Sequence, residues 1–192
     1  IGLVFIIPFL YFLITRQLNK STIKKTIILL ILGGFQGFLG WYMVKSGLVD
    51  RPDVSHYRLA AHLTTAFVTF AFTLWVALDL IFPIKQTINK TYRNLIRIGL
   101  AILFIQIIYG AFVAGLDAGF IHNHWPMMSE GKLMHETVLT EKTPVYKNFI
   151  EGRSGVQFVH RILAFIVVIS VVIIYIKGKK IAVSNHQLNG LN

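Results

Sequence analysis

Long apolar runs separated by short polar stretches limit what this chain can fold into more than any other feature. Residues 1–15, 26–44, 59–82, 98–116 and 155–176 are each dominated by Ile, Leu, Val, Phe, Ala and Gly. At ~1.5 Å of rise per residue, about twenty residues span a ~30 Å hydrocarbon core. A segment in lipid must satisfy its own backbone polar groups, so each run is predicted to be a helix. The expected fold is an all-α polytopic membrane protein with five transmembrane helices. The first run reaches only about 22 Å. Because the chain opens inside that run without a methionine, it is expected to be a fragment whose first helix has lost its outer half.

A net charge of +11 raises the question of a nucleic-acid partner, and the placement of the charges answers it. Three clusters, Arg16/Lys20/Lys24/Lys25, Lys85/Lys90/Arg93/Arg97 and Lys177/Lys179/Lys180, hold eleven positive charges with no acidic residue among them. The other connections, 45–58 and 117–154, carry seven basic and seven acidic side chains. Basic and balanced loops alternate, which is the positive-inside pattern, so the basic ends are predicted to be cytoplasmic. The partner implied is a lipid bilayer, and no nucleic acid is expected. Without cysteine there is no disulfide or thiolate chemistry, and any metal must take nitrogen or oxygen ligands.

Two of the runs contain a histidine in the same local context. His62-Leu63-Thr64-Thr65-Ala66-Phe67 and His160-Arg161-Ile162-Leu163-Ala164-Phe165 both read H-x-x-x-A-F. An ionisable residue at membrane depth is costly and usually functional, although a single such histidine more often packs through a hydrogen bond. Both histidines fall within the first one or two turns of runs predicted to pass from outside to inside, which puts them at similar depth. Neutral imidazole is the usual axial ligand of haem iron, and helical bundles hold haem with histidines. Arg58 lies one turn before His62, and Arg161 adjoins His160. Either guanidinium could pair with haem propionates, or serve as an interfacial anchor or a donor to carbonyls.

The preceding helices also repeat each other, with Gln36 four residues before Gly40 and Gln106 four residues before Gly110. The order glutamine helix, histidine helix, glutamine helix, histidine helix suggests an old helix-pair duplication. Gly33 and Gly37 offer a small-residue face for close helix approach, with Gln36 able to bond across it. Thr65, Thr69 and Thr73 share a face with His62 that is expected to turn to the bundle interior. Asp79 is expected at the inner interface beside the Lys85 cluster. The connection 117–154, long and rich in polar residues, is expected outside, where it could cap a site. His122 and His124 read first as wet loop residues, with metal binding a weaker alternative. His56 and His135 read as surface residues, and His186 lies in a polar tail.

Four blocks carry a resemblance. They are Gly33-Gly34-Phe35-Gln36-Gly37-Phe38-Leu39-Gly40-Trp41 continuing to Leu48, Tyr57-Arg58-Leu59-Ala60-Ala61-His62-Leu63, Gly110-Ala111-Phe112-Val113-Ala114-Gly115-Leu116-Asp117-Ala118-Gly119, and Val156-Gln157-Phe158-Val159-His160-Arg161-Ile162-Leu163. In this order they resemble the haem A synthase family, in its cysteine-free proteobacterial and mitochondrial branch. The resemblance implies eight helices in two pseudo-symmetric four-helix bundles, of which this chain would supply about the second to sixth. Residues 1–82 would belong to an N-terminal haem O half and 98–180 to a C-terminal haem b half, with 83–97 a cytoplasmic connector and 181–192 a cytoplasmic tail. It also implies oxidation of the C8 methyl of haem O to a formyl group, giving haem A for terminal oxidases.

On the same resemblance His62 and His160 are metal ligands to different irons; Arg58 and Arg161 are the expected cofactor-binding residues from their positions beside those histidines. Haem b is the cofactor and haem O the substrate. The family's proposed catalytic glutamate would lie outside this chain, three residues before a first histidine, and Gln157 stands at the equivalent place before His160. The expected location is the bacterial inner membrane, with both histidines near the periplasmic side. Expected partners are haem O synthase and oxidase assembly factors, with a homo-oligomer as a further expectation. The alternatives are a b-type cytochrome that only passes electrons and a haem-free transporter or assembly subunit.

Overall fold

A computed structural model describes residues 2–47, 53–82 and 89–181. Its helices are α1 (Gly2–Ile14), α2 (Lys20–Val44), α3 (His56–Ile81), α4 (Lys90–Gly115), a short α5 (Thr137–Thr140) and α6 (Arg153–Ile181). Single 3₁₀ turns at Ala118–Phe120 and Val145–Phe149 punctuate the connection between α4 and α6. Among the described residues, α2, α3, α4 and α6 are long and apolar enough to cross a membrane. The chain is an all-α, multi-pass membrane protein. The expected fifth span appears as α1, 13 residues around Pro8 and about 20 Å long, shorter than a hydrocarbon core.

The spanning helices run beyond the apolar runs that announced them. The second was expected from residue 26, but α2 starts at Lys20, where the Asn19 side chain accepts a hydrogen bond from Thr22 N at 2.8 Å. The fourth was expected from residue 98, but α4 starts at Lys90 under an Asn89 cap that accepts from Thr91 N at 2.9 Å. Lysine and arginine are good helix formers and can carry a helix past the lipid boundary while their charges stay in water. The connector expected over 83–97 is therefore already helical from Lys90. Residues 83–88, with Lys85, and 182–192, with His186, lie outside the described residues.

The chain divides into two compact units, one built on α1, α2 and α3 and the other on α4, α5 and α6. In the first, α2 packs along α3, with Leu39, Ala60 and Val76 buried. Towards the start of α2, Lys25 Nζ pairs with Asp79 and sits 4.9 Å from the Trp75 ring centroid. Asp79 thus finds its partner on α2. The glycine face of α2 is not where the helices meet, because a Cβ at Gly33, Gly34 or Gly37 would touch nothing within 4 Å. The threonine stripe of α3 needs no interhelical partner. Thr65, Thr69 and Thr73 each donate to the carbonyl four residues back, at 2.8, 2.8 and 2.7 Å, and Thr73 is exposed. That local bond makes a hydroxyl acceptable at membrane depth.

In the second unit α4 packs along α6, and the connection 116–152 folds over their ends as a small polar-cored cap. Asn148, wholly buried, accepts from Lys142 N at 2.6 Å and donates to the carbonyls of Leu139, Lys142 and Val145 at 2.9–3.1 Å. Met128 and Val138 fill the space beneath. The Glu141 carboxylate accepts from Arg153 N at 3.0 Å and Ser154 N at 2.9 Å, satisfying the first amides of α6. Glycine is required where α6 leaves this cap, since a Cβ at Gly155 would stand 2.2 Å from the Asn148 carbonyl oxygen. Gly155→Ala is accordingly expected to cost about 2 kcal/mol or more. The check is a lower thermal midpoint together with faster proteolysis between residues 116 and 152; unchanged values would refute the packing argument.

Candidate functional site

Each unit holds one histidine against one glycine, beside one glutamine. In the first, α3 presents His62 to α2 where Gly40 leaves the α2 backbone bare. A Cβ at Gly40 would lie 3.4 Å from His62 Cε1 and 3.8 Å from Nε2. Gln36, one turn before Gly40, donates from Nε2 to the His62 carbonyl at 3.3 Å, as its interhelical role predicted. One turn before His62, Arg58 donates to the Tyr42 carbonyl at 2.9 Å and stacks over the Tyr42 ring at 3.9 Å from its centroid. Two contacts to one residue hold the guanidinium at the end of the α2–α3 pair.

In the second unit α6 presents His160 to α4, and a Cβ at Gly110 would lie 3.3 Å from His160 Cε1. Here the glutamine reaches the ring itself, with Gln106 Nε2 at 3.5 Å from His160 Nε2, the outer limit for a hydrogen bond. Gln106 Oε1 is buried and makes no hydrogen bond with the described residues. In both units the histidine's Nδ1 is likewise buried and has no hydrogen-bond partner among the described residues.

A buried imidazole nitrogen left open calls for a ligand or a further donor. Among the described residues no group of three or more His, Cys, Asp or Glu side chains could hold a bare metal ion. Haem asks less of the protein, because the porphyrin supplies four nitrogens and the chain needs to add only axial ligands. A solitary imidazole held against a glycine groove therefore suits haem and does not suit a free cation. Each unit supplies one such imidazole.

Around His160 the cap is bound closely to α6. Gln157, buried, donates to the carbonyls of His122 at 3.2 Å and Gly119 at 3.5 Å. Arg161 donates from NH1 to the carbonyls of His124 at 2.8 Å and Met127 at 2.9 Å, and from NH2 to that of His122. Three of the five N–H groups of Arg161 are thereby engaged by backbone carbonyls. A side-chain chain continues outward, with His122 Nε2 at 3.1 Å from Ser154 Oγ, Thr137 Oγ1 donating to Ser154 Oγ at 2.8 Å, and His135 Nδ1 at 2.7 Å from Thr137 Oγ1. These residues, with Ile121, Glu141 and Arg153, line an open cavity of about 240 Å³.

The family model described as cytochrome oxidase assembly protein, COX15-CtaA, matches residues 1–189. The chain belongs to that family. Proteins named heme A synthase from Flavobacterium psychrophilum and Flavobacterium johnsoniae are each 60% identical to it over its full length. One from Wolbachia pipientis is 44% identical over 183 residues, 94% of this chain. The chain spans 57% of the length of the Flavobacterium relatives and 52% of the Wolbachia one. No solved structure gives a significant match.

For this member of the family the sequence already held the two histidines, the two glutamines and Arg58. It also held Gly40 and Gly110, though not their function as the surfaces on which the imidazoles rest. Glu141 and Asn148 were missed, and His135 had read as a surface residue. All three act through contacts made across a stretch without periodicity, so no sequence signal marked them. His135 lines the cavity with its ring centroid 4.7 Å from that of His122.

Burial pushes the His122 imidazole below its ordinary value of 6.5, His135 and Arg161 add to the fall, and Glu141 opposes it. The unfolded cap then binds more protons than the folded one below that value. The contribution of His122 to stability is thus present above pH 6.5 and lost as the pH falls through its folded pKa. Amide exchange in 119–127 and 135–141, corrected for intrinsic rates, is expected to accelerate as the pH falls below 6.5. His122→Gln should flatten that dependence, and a flat profile in the unaltered chain would contradict it.

Proposed function

We propose that this chain belongs to a haem A synthase of a bacterial inner membrane, in which His62 and His160 would each hold one of two haem groups. The observation that carries this reading is the repeated trio Gln36, Gly40, His62 and Gln106, Gly110, His160, each leaving a buried ring nitrogen open. The relatives named heme A synthase support it. In this reading the unit of α1 to α3 takes haem O, the substrate, and the unit of α4 to α6 takes haem b. The complete protein converts the C8 methyl of haem O to a formyl group by successive hydroxylations, giving haem A.

The residues divide the work. His62 holds the substrate iron, and the Gly40 groove fixes the plane of its ring. Arg58, oriented by Tyr42, offers its charge to a propionate at the outer edge. His160 holds haem b, which when bound supplies a one-electron redox centre to the reaction. The Gln106 amide steadies the His160 ring. Arg161 holds the cap against the histidine helix through three carbonyls, and the propionate pairing expected of it would use its remaining N–H groups, on Nε and NH2. Gln157 is neutral and donates to two carbonyls, which suits a half that carries electrons and does not abstract protons. The alternation of basic and balanced loops supports a periplasmic position for both histidines.

The test uses the complete protein. His62→Ala and His160→Ala are each expected to lower bound haem by about half, one site of two. His62→Ala should also abolish conversion of supplied haem O to the formyl product, followed by mass spectrometry. Haem content and product at unaltered levels in either variant would end the proposal. Full haem content with haem O left unchanged by the unsubstituted protein would instead identify a b-type cytochrome.

A further inference from the structure

Two imidazoles of the cap are joined through two hydroxyls. His122 Nε2 lies 3.1 Å from Ser154 Oγ, Ser154 Oγ 2.8 Å from Thr137 Oγ1, and Thr137 Oγ1 2.7 Å from His135 Nδ1. Thr137 belongs to α5 and Ser154, buried, to the first turn of α6, so this chain of contacts fastens one to the other. A hydroxyl has one hydrogen to give, to either neighbour, while a ring nitrogen either carries a hydrogen or offers a lone pair. Three contacts need three hydrogens, and the hydroxyls supply two of them. One ring nitrogen must therefore supply the third, and the other must accept. The Thr137 amide, which donates to His135 Nδ1 at 3.3 Å, also calls for a lone pair on that atom.

That count sets how many protons the pair can hold. One imidazole can be protonated on its far nitrogen with every contact kept. With both protonated, each chain-facing nitrogen brings a hydrogen, one more than the contacts can use, and a contact breaks. The ring centroids are 4.7 Å apart, so two positive charges there also repel. Arg161 of α6 acts on His122 in the same sense, Glu141 of the cap acts in the opposite sense, and Arg153 of α6 lines the same cavity. Both rings line that open cavity, through which protons reach them. We infer that His122, Ser154, Thr137 and His135 form an acid-operated latch, which fastens the cap to α6 while the two imidazoles hold no more than one proton and releases when both are protonated. On release the cap keeps its bonds to Gln157 and Arg161 but loses its hold on the Ser154 hydroxyl. The latch thus sets how firmly the cap sits on the helix that bears His160.

A titrating His122 acting alone and a latch made by the pair differ in what they require of His135. In the complete protein, amide exchange of 119–127 and 135–141 is followed by mass spectrometry and corrected for intrinsic rates. With an ordinary imidazole value of about 6.5, exclusion of the second proton makes opening rise about tenfold between about pH 7.5 and about pH 5.5. His135→Gln takes one proton out of the count and should cut that rise to about twofold or less, as should His122→Gln. The double variant should lose no more than either single one, because the two residues act as a unit. A His135→Gln protein that keeps the full rise, or losses that add in the double variant, would overturn the latch. Thr137→Val breaks the chain without touching either ring, and is expected to exchange at about pH 7.5 as fast as the unaltered protein does at about pH 5.5. Protection retained in Thr137→Val would overturn it equally. If the variants do not fold, the unaltered protein decides, through the imidazole nitrogen resonances of the two histidines. The second proton should bind only as exchange accelerates, and two protonated rings under a cap still protected refute the latch.

Discussion

Every polar group that enters the bilayer with this chain has to be satisfied from inside the protein, and the structure follows from how that is done. The threonines of α3 turn to their own helix, Lys25 and Asp79 neutralise each other between α2 and α3, and Arg161 gathers three carbonyls. Thr64 Oγ1, Gln106 Oε1 and Gln157 Oε1 also lack a partner among the described residues, but the open Nδ1 atoms of His62 and His160 recur at matching places in both units. A buried donor or acceptor without a partner costs on the order of 1–3 kcal/mol, and these are repeated in both units. Their repetition is what makes a ligand, and not a packing fault, the economical account.

Glycine decides where such a histidine can sit. A helix pair in lipid gains little from apolar contact as such and depends on close fit. At Gly40 and Gly110 the missing side chain leaves room for an imidazole edge, so the ring stacks against backbone and its orientation is limited. The glutamine one turn earlier then differs between units. Gln36 bonds to the His62 carbonyl and leaves the ring alone, whereas Gln106 lies at hydrogen-bond distance from the His160 ring. The two histidine settings share a plan while differing in the polar group beside the ring.

The fold was legible because lipid imposes a simple rule, twenty apolar residues and a helix, and the basic flanks punctuated it. The repeated H-x-x-x-A-F and the glutamine–glycine pairs exposed the site because duplication writes the same residues twice. What sequence alone gave poorly was any contact decided by depth or by irregular backbone. Gly33 and Gly37 looked like the packing face, yet the approach is at Gly40, because the large imidazole is what needs the room. Nothing in the sequence announced that Arg161 also binds carbonyls from 34 to 39 residues away. No periodicity marks those carbonyls, since any residue can supply one.

The cap and the histidine helix are therefore one mechanical piece. Glu141 closes the first turn of α6, Asn148 ties four backbone groups of the cap around that closure, and Gly155 lets the two approach without a Cβ between them. From there the same helix carries Gln157, His160 and Arg161 within little more than one turn. Moving the cap means breaking the bonds of Gln157 and Arg161 on either side of His160, so the position of the imidazole and that of the segment beside it are set together. A histidine on a bare transmembrane helix would have only its rotamer to hold it. Here the order in the cap is transmitted to the helix turn that bears the ring, which is how a polar loop can govern a group on the helix it covers.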